Sequence, residues 1–199
     1  MDTSLWFKQV EDLWNTHKTE SNGKIASWDY LNWQSKLTDQ NLNRRYLVLY
    51  TALGTNANAI VVDREAFDLP FFVDYKAYVF ATNNLDEAYF LSCYFNSNIA
   101  NKIIKPYQAR GLFGERGIEK KILEIKFPQF REDNPTHVRL AELGKQCAER
   151  VAQYIADNGL AHQDYNVGRV RSDIRNHLLT AELKQIDQLL AEVIGVGVV

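Results

Sequence analysis

A chain of 199 residues with 46% hydrophobic residues, 24% charged residues and four prolines has the make-up of a globular domain, and this excludes disordered and fibrous classes. A formal net charge of −2 implies no partner by itself, and no apolar run approaches the ~20 residues needed to cross a bilayer. Cys93 and Cys147 stand alone, without a CxxC or a nearby histidine pair, so a disulfide framework and a zinc site are both excluded.

The start, MDTSLWFKQVED, lacks the basic-then-apolar layout of a signal peptide, and the expectation is a soluble protein of the cytoplasm. Trp6, Trp14, Trp28 and Trp33 crowd the first 35 residues and supply material for a sizeable core. Residues 4–15 place Leu5, Val10, Leu13 and Trp14 on one helical face behind Thr3 or Ser4 as a cap. Ser27 to Gln40 reads as a second helix or helix–turn segment.

The period then changes. Tyr46 to Ala52 and Ala59 to Asp63 read as two strands around a Gly-Thr-Asn turn, a hairpin signal. FFVDYKAYVFAT adds a third strand and room for a fourth, with Val73, Tyr75, Ala77 and Val79 alternating against Asp74, Lys76 and Tyr78. A helix follows, capped by Asn84, with Asp86 and Glu87 in its first turn and a stripe of Leu85, Ala88, Tyr89, Cys93 and Tyr94. Asn96-Ser97-Asn98 breaks it in two. Ile122 to Phe127 reads as a short strand ended by Pro128. Asn134-Pro135 opens a long helix, in which Leu140, Leu143, Cys147, Val151 and Tyr154 form a narrow seam suited to a partner helix. Asn158-Gly159 stops it, and Val170, Ile174 and Leu178, then Leu183, Ile186, Leu190 and Val193, mark further helix. The expected architecture is α+β: a mixed α/β body with a small twisted sheet over residues 1–133, then a C-terminal helical hairpin over 134–199.

Catalytic constellations are scarce. There is no P-loop, and Gly195-Val196-Gly197 has no helix behind it to hold a pyrophosphate. His17, His137, His162 and His177 are scattered and read as surface or satisfied histidines. Glu115, Glu124 and Lys126 have the residue types of a magnesium-dependent nuclease site, but no Pro-Asp partner precedes them. That nuclease is one alternative reading; a protein-interaction module docking through its C-terminal helices is another.

KPYQARGLFGERGIEKKILEIKFPQF, Lys105 to Phe130, concentrates what charge asymmetry the chain has. From Lys102 to Lys126 there are seven basic and three acidic residues, a local +4 that leaves −6 for the rest. A phosphate backbone selects such a footprint, because each contact releases counterions. Glycines at 111, 114 and 117 permit close backbone approach. Gln108, Arg110 and Arg116 have the donors to read base edges, Lys105, Lys120 and Lys121 suit phosphates, and Tyr107 suits a base or sugar. Arg44 and Arg45, before the hairpin, are candidates for phosphate from another side. Arg169, Arg171 and Arg175 read as decoration on the outer face of a helix.

Several pieces in order resemble a known family. Phe95-Asn96-Ser97 ends a helix, Gly111-Leu112-Phe113-Gly114-Glu115-Arg116 follows, then a Lys-Lys-x-Leu-x-Ile-x-x-Pro stretch at Lys120 to Pro128, then Leu-Ala-Glu-Leu at Leu140 to Leu143. With DYLNWQSKLTDQN and LGTNANAIVVD upstream, the chain resembles, over roughly residues 25 to 195, the C-terminal target-recognition (TaqI-type specificity) domain of the adenine-N6 DNA methyltransferases of restriction–modification systems. The resemblance implies a mixed α/β body that grips double-stranded DNA and reads its sequence while a separate catalytic domain flips and methylates adenine. It also implies that helices after the body pack on partner helices. The Asn/Asp-Pro-Pro-Tyr/Phe loop of such enzymes is missing; Asn134-Pro135-Thr136-His137 is the nearest approach and reads as a helix start. The expectation is therefore a non-catalytic recognition module (a fragment, a separate subunit or a split-gene remnant) with no cofactor of its own. S-adenosylmethionine would bind the catalytic partner.

Overall fold

The computed structural model describes residues 3–74, 77–108, 110–111, 114–115, 117–118, 129–160 and 165–195. It forms two compact units, Met1–Leu42 with Phe72–Tyr75, and Asn43–Phe71 with Lys76–Val199.

In the first unit, α1 (Thr3–His17) turns Phe7, Val10 and Trp14 inward. Leu5 and Leu13, expected on the inner face, are 59% and 60% exposed. The true stripe steps by three and four from Phe7, and it meets α2 (Ser27–Leu31) through Phe7 on Trp28, centroids 4.8 Å apart, and Trp14 on Tyr30, 4.6 Å apart. The second helix does not run on to Gln40. Asn32 draws the backbone out of it, its Oδ1 accepting from the amides of Leu37 and Thr38, and Gln34 and Ser35 turn through positive φ. Gln40 then fastens the 72–74 segment, donating to the Val73 carbonyl at 2.7 Å and accepting from its amide at 2.9 Å. Side-chain amide thus replaces the strand pairing expected for Val73.

The second unit is mixed α+β. Its sheet has the order β2 (Ala59–Asp63), β1 (Tyr46–Thr51), β3 (Ala77–Thr82), antiparallel throughout. The register Tyr50↔Ala59 and Tyr50↔Tyr78 aligns Tyr46, Val48, Tyr50, Ala59, Val61, Tyr78 and Phe80 on one face, and that face meets the core. The third strand is therefore inverted relative to expectation. Tyr78 and Phe80 point inward and Val79 is 41% exposed, because the aromatic residues, not the small aliphatic ones, reach the helix layer. The 52–58 connection is longer than a hairpin turn. Asn101 and Asn96 hold it: Asn101 Oδ1 accepts from the Ala57 amide at 2.6 Å, and Asn96 both accepts from and donates to Ala59.

Helix α3 (Leu85–Asn96) starts where Asn84 Oδ1 accepts from the amides of Asp86 and Glu87. It is buried on more than a stripe: Ala88, Phe90, Leu91, Cys93, Tyr94 and Phe95 are all inside. The sheet lies on one side, with Phe95 stacked 4.4 Å from Tyr50, and α5 (Pro135–Asp157) lies on the other. Gly144 sets that approach, since a Cβ there would stand 2.6 Å from the Tyr89 carbonyl oxygen and 2.9 Å from Cys93 Sγ. Ser97 breaks α3 from α4 (Asn98–Ile104) and caps the latter through Ala100. Asp187 also caps α4, accepting from the amides of Asn98 and Ile99.

The long helix opens as expected, with Asn134 Oδ1 accepting from Thr136 and His137 and with Pro135 at its first position. Along its seam Leu140 and Leu143 are buried and Cys147, Val151 and Tyr154 half-buried; beside the seam, Arg150 pairs with Glu182 on α7 (Thr180–Ile194). Before α7, α6 (Val167–Asp173) runs into one π-helical stretch, Ile174–Leu178. Helix α5 supplies one wall of the same core as the sheet. The strand expected over Ile122–Phe127 lies outside the described residues. Among the described residues, no helix is long and apolar enough to cross a membrane.

Candidate nucleic-acid interface

The basic segment leaves α4 in a single turn, Lys105–Tyr107, with Lys105 exposed and Tyr107 60% exposed. It then runs into a small antiparallel ribbon, β4 (Arg110–Gly111) against β5 (Gly114–Glu115), in the register Arg110↔Glu115 and Gly111↔Gly114. Both feet of this ribbon are pinned to the turn after β1. On one side Gln108 Nε2 donates to the Gly54 carbonyl at 3.2 Å. On the other, Leu53 bridges Gly117 and the amide of buried Ile118 donates to the Ala52 carbonyl at 3.2 Å. Gly54 takes φ 146°, so a side chain there would be strained.

The candidate residues fare differently. Lys105, Tyr107 and Arg110 fall together along this segment. Gln108 is only 7% exposed and serves as a foot of the ribbon, so its amide is not presented to a base edge; its Oε1 has no partner among the described residues. Arg116, Lys120 and Lys121 lie outside the described residues, as do Glu124 and Lys126 of the alternative metal site. Among the described residues no group of acidic, histidine or cysteine side chains is placed to hold a metal ion.

Arg44 and Arg45 stand at the other end of β1, about 20 Å from the 52–54 turn at the rise of an extended strand. They do not join the ribbon. Arg45 is committed elsewhere: its Nε and one terminal nitrogen donate to the two Asp63 oxygens at 3.0 and 2.8 Å, and the other reaches Glu65 at 2.6 Å. The Asp63 hydrogen bond raises the guanidinium pKa, and Arg45 in turn holds the Asp63 carboxyl below its usual range. A phosphate would have to displace two carboxylates to use it. Arg44 is exposed, with its carbonyl accepting from Arg64.

One feature of the chain escaped the sequence reading. An apolar cleft of about 460 Å³ opens between α3, α5, β2 and the π-helical stretch. Gly144, Ala148 and Ala152 line it at four-residue steps, and that spacing of small residues was its one legible signal.

No protein-family model matches the chain, and neither a curated protein nor a solved structure does.

Proposed function

We propose that the chain is a DNA-recognition module that works with a methyltransferase or restriction catalytic domain and does no chemistry of its own. The observation that carries this reading is the confinement of a local +4 to a segment whose two-stranded ribbon is tied down at both feet. A two-stranded ribbon is one of the two elements that a B-DNA major groove admits, and anchoring it lowers the entropy cost of presenting its side chains. The family resemblance points the same way. Arg110 and Arg116 carry specificity, Lys105, Lys120 and Lys121 carry affinity, and Tyr107 meets a base or sugar. Gln108 sets the ribbon's position. Arg45 braces the start of β1 and is left out of the contact set.

Fluorescence anisotropy of a mixed-sequence duplex, titrated from low to physiological salt, tests this. The full chain is expected to bind with a steep salt dependence. Arg110/Arg116/Lys120/Lys121→Ala is expected to flatten the slope of log affinity against log salt by up to about 4. Absence of binding at low salt by a folded chain, or an unchanged slope in the variant, would refute the reading.

A further inference from the structure

The apolar cleft is independent of the basic ribbon, and its lining has a consistent chemistry. It is lined by Tyr89 and Cys93 of α3, Gly144 and Val151 of α5, Ile60 of β2 and Ile174. The volume falls within the 300–1,000 Å³ usual for small-molecule sites, and so does the pattern of many apolar groups with few polar ones. Among its described lining residues there is no Asp or Glu, whereas Arg171 and Arg175 both border it.

Arg175 does not decorate an outer helix face. It is half-buried, donating to Asn98 Oδ1 at 2.6 Å and, more weakly, to the Asn96 carbonyl at 3.5 Å, both of them uncharged acceptors. It sits inside the π-helical stretch, a feature found often at functional sites because the widened turn redirects side chains. Arg171, one turn earlier, is exposed at the same rim. Two arginines at the edge of an apolar groove favour an anion whose remainder is apolar, since the guanidiniums supply charged donors and the tail leaves water.

We infer that this cleft binds a small amphipathic anion, with its acyl or aryl portion between α3 and α5 and its carboxylate (or an equivalent oxyanion) on Arg171 and Arg175. Binding would stiffen the junction of α5, the π-helical stretch and the edge strand β2.

Calorimetric titration of the full chain with decanoate, and with 1-decanol as the uncharged probe, tests the assignment. Decanoate is expected to bind one to one, and 1-decanol at least tenfold more weakly. Arg171→Gln/Arg175→Gln is expected to weaken decanoate about tenfold, to the level of the alcohol. Because Arg175 also holds Asn98, the exposed Arg171→Gln alone serves as the fold-neutral control, with a loss of about threefold. Ala148→Phe, which fills the groove from a surface position, is expected to abolish binding of both probes without altering the circular dichroism spectrum. The proposal fails if wild type shows no decanoate binding up to its solubility, if acid and alcohol bind alike, or if Ala148→Phe leaves affinity intact. It also fails if sedimentation shows that Ala148→Phe converts a dimer to a monomer, which would give the groove to a second copy of the chain.

Discussion

The two units spend their aromatic residues in opposite ways. All four tryptophans lie in the first, yet Trp6, Trp28 and Trp33 remain 45 to 52% exposed, while Phe90, Tyr94 and Phe95 of the second are completely buried. Within each unit the difference is the number of layers. In its own unit the helix that α1 packs on, α2, has five residues, whereas α3 has a three-stranded sheet on one side and a 23-residue helix on the other. A large side chain is hydrophobic payload only when a second surface closes over it. Tryptophan count is therefore a poor guide to where this protein's core lies.

The sharpest test of that comparison is a pair of truncations. Phe95→Ala removes a ring stacked on Tyr50 in the centre of the core and is expected to cost about 3–5 kcal/mol in urea unfolding followed by far-UV circular dichroism. Trp33→Ala removes a larger but half-exposed ring and is expected to cost about 0.5 kcal/mol, followed through the emission of the remaining tryptophans. Equal costs would mean that the first unit buries its aromatics as tightly as the second.

Two asparagines give a smaller contrast of the same kind. Asn101 and Asn32 both satisfy backbone amides that secondary structure leaves over, but Asn101 is 4% exposed and Asn32 is only half-buried. Asn101→Ala strands the Ala57 amide in the interior and is expected to cost about 1–3 kcal/mol. In Asn32→Ala, water takes over the freed amides of Leu37 and Thr38, and the cost is expected to be about 0.5 kcal/mol. Urea midpoints of the two variants at unchanged slope decide it.

What the sequence made legible follows the same division. Caps and breaks were readable because they depend on one side chain and its nearest amides: Asn84, Ser97 and Asn134 each act as their residue types suggest. The β1–β2 pairing was readable for the same local reason. Faces were harder. The stripe assigned to α1 held at Val10 and Trp14 but not at Leu5 and Leu13, and that of β3 was inverted, because choosing between two aromatic-rich faces depends on what lies opposite, and a linear chain does not contain that. The sequence offers the candidate site as a charge cluster, but the roles of Gln108 and Arg45 were not legible, since Gly54 and Asp63 are remote in sequence. The same holds for Arg175, whose partners Asn96 and Asn98 lie more than 75 residues away.

The last contrast is in pH. His137 is 4% exposed, its ring 4.7 Å from that of Phe90, and its Nδ1 accepts a hydrogen bond from the Arg131 amide at 3.1 Å, so the folded state needs that nitrogen unprotonated. Burial lowers its pKa, the Arg131 charge lowers it further, and Asp133 opposes them. Because the folded value lies below the unfolded one, about 6.5, the unfolded chain binds more protons between the two. The stabilisation is fully present above about pH 6.5 and is lost as pH falls toward the lowered value. Asp63 and Asp133 are held below the usual carboxylate range by Arg45 and Arg131. Their contribution is lost only in a more acidic window, below about pH 3.9. Between pH 7 and 5 the decline in urea stability should therefore report His137, and His137→Phe should flatten it while giving up the Arg131 hydrogen bond at every pH. A decline of the same slope in the variant would remove His137 as its cause and assign the proton uptake to groups outside the core.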